Sequence, residues 1–259
     1  MLDRSFRIDS EGRSDVGRVR SLNEDSLLLR PDIGVWAVAD GMGGHDAGDF
    51  ASQTLVAELN RLAPAGSAPE LLTAMEDRVI AANATLRATA RQRGEHAIIG
   101  CTLASLVIFN GAYACVWSGD SRVYRVRGGG IEQISRDHTE AQELVDRGTI
   151  TAEEAKTWPR KNVITRAIGV FDTPELEMVQ GRIEDGDIFV LCSDGLTEHV
   201  RDHEILGAAS ARPLNLVCDD LIAMTLERGA KDNVTVIAVS CREATQLRSA
   251  ANWTDWGQS

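Results

Sequence analysis

Four aspartates hold comparable places along this chain of 259 residues. Asp40 follows the apolar run GVWAVA, Asp120 follows AYACVWSG, Asp194 follows DIFVLCS, and Asp232 stands just ahead of NVTVIAVS. Taken singly, each reads as a turn residue, because aspartate bonds its own backbone and favours Asp-Gly turns. Taken together they read differently. If the flanking strands pair antiparallel, strand ends and strand starts alternate along one edge of the sheet. The four carboxylates then meet at one pole. Carboxylates that close together raise one another's pKa unless a cation neutralises them. Oxygen ligands with no Cys or His cluster beside them suit Mg2+ or Mn2+.

The residues around these acids extend the pattern. The stretch VADGMGGHDAGD, 38–49, carries three aspartates, four glycines and one histidine, His45. Gly41 lacks a Cβ, so its carbonyl can come close to a metal or a bound water. Glycines ahead of a helix leave its N-terminus open to anions. Asp46 and Asp49 read as helix-start acids favoured by the dipole rather than as ligands. Upstream, GRVRSLNEDS, 17–26, offers Arg20, Glu24 and Asp25. An isolated arginine is most often a solvated surface charge. Beside a dimetal site its planar fork of donors becomes a phosphate clamp. Two ions about 3.5–4 Å apart lower the pKa of a shared water and balance developing charge. The chemistry expected is phosphoryl transfer to water.

These groups need a frame. Apolar runs predict strands at 26–31, 34–40, 101–109, 112–120, 122–127, 187–194 and 233–240. Asn110-Gly111 between two such runs is a strong hairpin signal. Helical spacing of apolar residues predicts helices over 46–62, 68–93 and 213–228. Strands and helices come in blocks rather than in regular alternation, which is an α+β pattern. The stretch 139–170 is polar with little periodicity and reads as a surface flap. The tail from 242 to 259 is polar.

Composition removes several classes. Apolar residues make up 43% of the chain, enough for a packed core. The net charge of -12 argues against nucleic-acid and anionic-membrane partners. There is no apolar run of about 18 residues, hence no expected transmembrane helix. The N-terminal residues are charged and lack the apolar stretch of a signal peptide, so a cytoplasmic protein is expected. The five cysteines are scattered through apolar runs and read as buried reduced thiols.

The ordered segments GRVRSLNEDS, VWAVADGMGGHDAGDFAS, GCTLASLVI, WSGDSRVYRVRGGGIEQISRDHT, ITRAIG, FVLCSDGLTEHV and KDNVTVIAV span about residues 11–241. In that order they resemble the bacterial form of the PPM family, the metal-dependent type 2C Ser/Thr protein phosphatases. The resemblance implies a four-layer α-β-β-α sandwich: two central antiparallel sheets flanked by helices. It implies one catalytic domain over 1–241 with its flap at about 139–170, and a dinuclear Mn2+ or Mg2+ centre. Within it, Asp40 resembles the carboxylate bridging both metals, and Gly41 the residue lending a backbone carbonyl. Asp194 and Asp232 resemble further ligands, and Arg20 the phosphate-binding arginine. Glu24 and Asp25 match acids that order metal-bound waters, and Asp120 matches a ligand to a weaker third metal. Asn233 follows the last ligand and is expected to orient it. Arg166 and Gly169 in TRAIG are expected to be structural.

The chain departs from the family at two places. Met42 stands where eukaryotic members often carry a histidine proposed as general acid. His45 is the nearest histidine, and a catalytic and a structural role are both open for it. Cys101 replaces a frequent threonine and acts as a small hydrophobe. His138 reads as a satisfied structural contact, and His199 and His203 as surface residues.

The resemblance also implies phosphoserine and phosphothreonine proteins as substrates. It implies a cognate eukaryotic-type Ser/Thr kinase as partner, with a secretion system as one setting, and a monomer. Two rivals stand beside it: a pseudophosphatase using the fold as a binding module, and a hydrolase of small phosphate esters.

Overall fold

The computed structural model describes residues 5–43, 47–94 and 96–244. Two antiparallel sheets lie face to face. One has the order β1 (Phe6–Asp15), β11 (Val234–Glu243), β10 (Ile188–Cys192), β7 (Arg122–Arg127) and β8 (Gly130–Gln133). The other has the order β2 (Asp25–Arg30), β3 (Val35–Gly43), β5 (Leu103–Phe109), β6 (Ala112–Ser118) and β9 (Glu177–Arg182), with β4 (Ile99–Cys101) pairing the end of β3.

Strand alternation divides the apolar residues into three packed layers. Trp36 and Val38 of β3 face the gap between the sheets, where they join Phe189, Leu191, Ile237 and Val239 of the other sheet. Val35, Ala37 and Ala39 point the opposite way. They pack under α1 (Gly48–Leu59) and α2 (Ala68–Arg93), where Leu55, Leu59, Met75 and Leu86 are buried. Val190, Val236 and Ala238 lie under α6 (Asp202–Ala211) and α7 (Leu214–Glu227). The expected four-layer sandwich is thus present, each sheet covered on its outer face by helices. The five cysteines are buried and free, as expected.

The periodic helices lie close to where the sequence puts them. α2 matches 68–93 and α7 falls inside 213–228. The β5–β6 turn has Asn110 at φ 47° and Gly111 at φ 74°, the two positive values that its Asn-Gly pair suits.

Other elements correct the expectations. β1 was not foreseen, because FRIDSEGRSD is charged and half exposed; it is an edge strand held by ten paired positions on β11. β8 and β9 are likewise edge strands with few buried residues. The run 101–109 is broken at Thr102 into β4 and β5. The run 187–194 ends at Cys192, and Asp194 opens the short helix α5 (Asp194–Thr197) instead of closing a strand. Asp40 lies inside β3, which runs on to Gly43. The flap at 139–170 contains α3 (Glu140–Asp146) and α4 (Ala152–Lys156), each started by a threonine cap that accepts a backbone N–H. β11 continues to Glu243, two residues past the expected boundary at 241. Residues 245–259 of the tail, and the 44–46 segment with His45 and Asp46, lie outside the described residues.

Candidate active site

The inter-sheet apolar layer gives way to acids at one end of the sandwich. Asp40 shares its face of β3 with Trp36 and Val38, and Asp25 shares its face of β2 with Leu27 and Leu29. Asp25 and Asp40 are directly opposite in the β2–β3 ladder. In such a pair the Cβ atoms stand about 5 Å apart. From the other sheet come Asp194, at the start of α5 just after β10, and Asp232, two residues ahead of β11. Asp120 follows β6.

The electrostatics put all five in one neighbourhood. Burial raises the Asp40 carboxyl well above its usual range, and the charges of Asp25, Asp194, Asp120 and Asp232 raise it further. Asp194 is raised well above its usual range by burial, then by Asp120, Glu198, Asp232 and Asp25. Burial lifts Asp25 to about 6 and Asp120 to about 7. Glu24 is raised as well, mainly by burial. A fold that gathers this much like charge is costly without a counterion.

One cationic side chain already reaches the cluster. Arg20 Nη2 donates to Asp232 Oδ2 at 2.7 Å, while the arginine remains about half exposed and able to meet a substrate from solvent. Arg20, Glu24, Asp25, Asp40, Asp120, Asp194 and Asp232 therefore converge as the sequence suggests.

Polar side chains with no assigned role hold these acids in place. Ser193 Oγ, on the β10 side, donates to Asp25 Oδ2 at 2.7 Å and accepts Thr235 N–H at 3.0 Å. It ties one sheet to the other. Thr102 grips Asp40: its N–H donates to the Asp40 carbonyl at 2.8 Å, and its Oγ1 accepts Asp40 N–H at 3.0 Å. The same Oγ1 lies 2.7 Å from Ser121 Oγ, beside Asp120. The break between β4 and β5 at Thr102 is thus part of the site.

Asn233 N–H donates to Asp232 Oδ1 at 2.9 Å, and its side chain makes further contacts. Its Oδ1 accepts Glu24 N–H at 2.8 Å, and its Nδ2 donates to the carbonyls of Val16 and Leu22, each at 2.9 Å. It thereby fixes the loop bearing Arg20. Ser193 had a readable signal: it continues the inward-facing series Phe189, Leu191 as a polar residue. Thr102 had none in the sequence, because an apolar run conceals the strand break.

His138 is buried against the Asp120 loop, where its Nδ1 accepts Gly119 N–H at 3.1 Å. Burial and Arg166 lower its pKa, which favours the neutral ring that this bond needs. Arg166 donates to Glu177 at 2.6 Å. Gly169 has φ 94°, and a Cβ there would strike the Ile99 carbonyl. His138, Arg166 and Gly169 are thus engaged in packing and in local hydrogen bonds. His199 Nε2 accepts Lys231 N–H at 3.3 Å near the surface, and His203 is exposed.

The donor set fits a hard divalent cation. Asp25 Oδ1 is buried and has no hydrogen-bond partner. Gly41 and Gly48 cross so closely that a Cβ on Gly41 would overlap the Gly48 carbonyl, and Gly48 N–H donates to Glu24 Oε1 at 3.2 Å. Among the described residues no group of three or more His, Cys, Asp or Glu side chains stands close enough to hold a metal ion by side chains alone. Mg2+ and Mn2+ are held by a few carboxylates and keep several waters in their shell. Asp40, Asp194, Asp232 and the Gly41 carbonyl could hold such ions, with Asp120 beside them.

Comparison with known proteins agrees with this geometry. A family model described as Protein phosphatase 2C matches residues 13–234. The Ser/Thr protein phosphatase PstP of Mycobacterium tuberculosis is 38% identical over 226 residues, covering 87% of this chain and 43% of the relative. The chain thus spans under half the length of that relative. The solved structure of PppA, described as a key regulatory component of T6SS in Pseudomonas aeruginosa, is 41% identical. It aligns over 90% of this chain and 97% of its own, with a TM-score of 0.84. The PstP catalytic domain in complex with two manganese ions is 35% identical, covers 92% of this chain and 100% of its own, and has a TM-score of 0.82.

Proposed function

This chain belongs to the protein phosphatase 2C family, and on that premise we propose that it hydrolyses phosphoserine and phosphothreonine on proteins with two Mn2+ or Mg2+ ions at its acidic pole. The observation that carries this reading is the convergence of Asp40, Asp194 and Asp232 with Arg20 at the end of the inter-sheet layer. Bound there, the ions would supply a water of lowered pKa and positive charge for the phosphoryl oxygens.

The chain's own residues do the rest. Asp40, Asp194, Asp232 and the Gly41 carbonyl would hold the ions, and Asp120 with Asp194 would hold a further, weaker one. Glu24 and Asp25 would accept hydrogen bonds from waters in the ions' shells. The orphaned Asp25 Oδ1 supports that role, since Ser193 has already taken the other oxygen. Arg20 turns its fork from Asp232 to the substrate phosphate and holds it in line with the attacking oxygen. Asn233 keeps the Arg20 loop in register. His45 is retained only as a candidate proton donor to the leaving oxygen.

The catalytic domain is proposed to run through the end of β11 at Glu243 rather than to stop at 241, with 139–170 as a flap beside the site. We place the protein in the cytoplasm as a monomer opposing a eukaryotic-type Ser/Thr kinase. The secretion-system role of the Pseudomonas relative makes that setting worth testing. Among the described residues no helix is long and apolar enough to cross a membrane.

The test is phosphate release from a phosphothreonine peptide and from an aryl phosphate, each with Mn2+ and then with chelator. Metal-dependent release from the peptide is expected. Release from neither substrate would leave a binding module, and release from the aryl ester alone would point to small phosphate esters.

A further inference from the structure

In a chain with a net charge of -12, arginines find carboxylates readily. Arg13 meets Asp219, Arg122 meets Asp137 and Arg127 meets Asp187. Two exposed cations at the rim of the acidic pole do not. Among the described residues, Arg18 and Lys231 have no carboxylate within ion-pair distance of their charged groups. An exposed cation is ordinarily a solvated charge on a loose stem. These two are carried on backbone that the fold holds in place.

Arg18 N–H donates to the Ala230 carbonyl at 2.9 Å. Gly17 just before it has φ 81°, and its N–H donates to Asp15 Oδ1 at 2.8 Å. A Cβ on Gly17 would overlap the Asp232 carbonyl. Lys231 N–H donates to His199 Nε2 at 3.3 Å, and the His199 carbonyl accepts Arg228 Nη1 at 2.7 Å. The loop bearing Arg18 and the turn bearing Lys231 therefore adjoin. Two like charges on adjoining backbone repel one another, and no acid of the fold answers them. Charges placed in advance in this way lose little freedom when an anion arrives.

Their place relative to the substrate phosphate follows from the chain. Arg18 is two residues from Arg20, at most about 7 Å of backbone. Lys231 precedes Asp232, the carboxylate that takes Arg20 Nη2 at 2.7 Å. An extended peptide advances about 3.3 Å per residue. With a phosphate on Arg20, the peptide's own side chains a few residues away come within reach of both cations. The chemistry that answers two such charges is a carboxylate or a second phosphate.

We propose that Arg18 and Lys231 select substrates by binding an anionic side chain within about three residues of the phosphoserine or phosphothreonine. The inference rests on the phosphoprotein reading above and goes beyond it by giving the substrate an acidic neighbourhood. Both residues act on the peptide, not on the phosphoryl group.

The test compares two phosphothreonine peptides of equal length, with aspartates or alanines on both sides of the target, and an aryl phosphate, all with Mn2+. The chain is expected to give a kcat/KM about 5- to 10-fold higher for the aspartate peptide, the worth of two exposed ion pairs. That advantage is expected to shrink between about 0.05 and 0.5 M salt as screening shortens. The double variant Arg18→Ala, Lys231→Ala is expected to lose it, with aryl phosphate turnover within about two-fold of the parent. Arg18→Glu with Lys231→Glu is expected to favour a lysine-flanked peptide instead. Binding of the labelled peptides to Asp194→Asn, read by fluorescence anisotropy, is expected to show the same order. A doubly phosphorylated peptide that binds tighter than the aspartate peptide assigns the anion as a second phosphate, and equal binding assigns it as a carboxylate. Equal kcat/KM and equal affinity for the aspartate and alanine peptides overturn the proposal. So does a preference that the double alanine variant keeps. So does a variant that slows peptides and aryl phosphate alike, which would make both residues supports of the Arg20 loop. No release from any substrate, with the aspartate preference in binding retained, overturns the hydrolysis and supports the recognition.

Discussion

Asp25 and Asp40 face one another across the β2–β3 ladder, two carboxylates at a register position where like charges repel. The pair survives because the rest of the fold forces it: Ser193 clamps Asp25 from the other sheet, and Thr102 grips the Asp40 backbone. Stability is sacrificed here for a site that a cation completes.

The first prediction follows from that repulsion. Replacing Asp40 with Asn removes one charge from the cluster. The metal-free variant is expected to melt above the metal-free parent, since a buried like charge has gone. Its turnover is expected to fall at least 100-fold, about 2.7 kcal/mol or more of transition-state stabilisation. Differential scanning calorimetry and phosphate release check both halves. A lower metal-free Tm would show that Asp40 is held by attractive contacts instead.

The second prediction concerns pH. Asp25 is raised from 3.8 to about 6 and Asp120 to about 7, both chiefly by burial. An acid whose folded pKa exceeds its unfolded pKa makes the native state bind protons more tightly. Its cost to stability is absent below about pH 4 and complete above the folded pKa. One unit is about 1.4 kcal/mol, so Asp25 alone costs on the order of 3 kcal/mol at pH 8. The metal-free protein is expected to lose stability between pH 5 and 8. The stabilisation by Mn2+ is then larger at pH 8 than at pH 5.5. The Arg228-paired Glu204, held at about 2, acts in the opposite sense, but its effect falls below pH 4.5 and outside this window. Melting curves at the two pH values with and without Mn2+ decide it; equal Mn2+ increments would refute it.

The third prediction is for Ser193. Substitution by Ala deletes the cross-sheet bond to Asp25 and leaves Thr235 N–H unpaired. A loss of about 1–3 kcal/mol in unfolding free energy is expected, with weaker Mn2+ binding by calorimetry. Ser193→Thr, which keeps the hydroxyl, is expected to recover part of the Mn2+ affinity.

The fourth concerns Arg20. If it clamps phosphate, Arg20→Ala should lower kcat/KM by about 10- to 100-fold, the worth of a charge-assisted bond or two. Mn2+ affinity should change much less. Arg20→Lys keeps the charge and loses the fork, so an intermediate value is expected. Unchanged kcat/KM in the alanine variant would remove Arg20 from the mechanism.

How far the sequence reveals these arrangements depends on which force builds each part. Apolar periodicity built α2 and α7, and both are legible to within a residue or two at each end. Asn110-Gly111 announced its own turn. β1 was hidden because it is an edge strand whose order comes from β11 across 200 residues, not from its own residues. Asp194 was placed at a strand end when it opens α5, because FVLCSD runs straight from strand into helix with no break in its pattern. The acids that converge at the pole were legible since their placement around apolar runs persists in the fold. The residues that hold them were less so: Ser193 shows only as a polar residue continuing the inward series Phe189, Leu191, and Thr102 acts through tertiary hydrogen bonds that leave no local trace.

The central claim is that the acidic pole hydrolyses phosphoprotein esters through cations held by its aspartates. It is tested most directly by phosphate release from a phosphothreonine peptide across an Mn2+ titration, for the chain and for Asp194→Asn side by side. The account predicts saturable, chelator-reversible release from the chain and none from the variant, with both remaining folded by circular dichroism. Release that persists in chelator, or that Asp194→Asn retains, would contradict it.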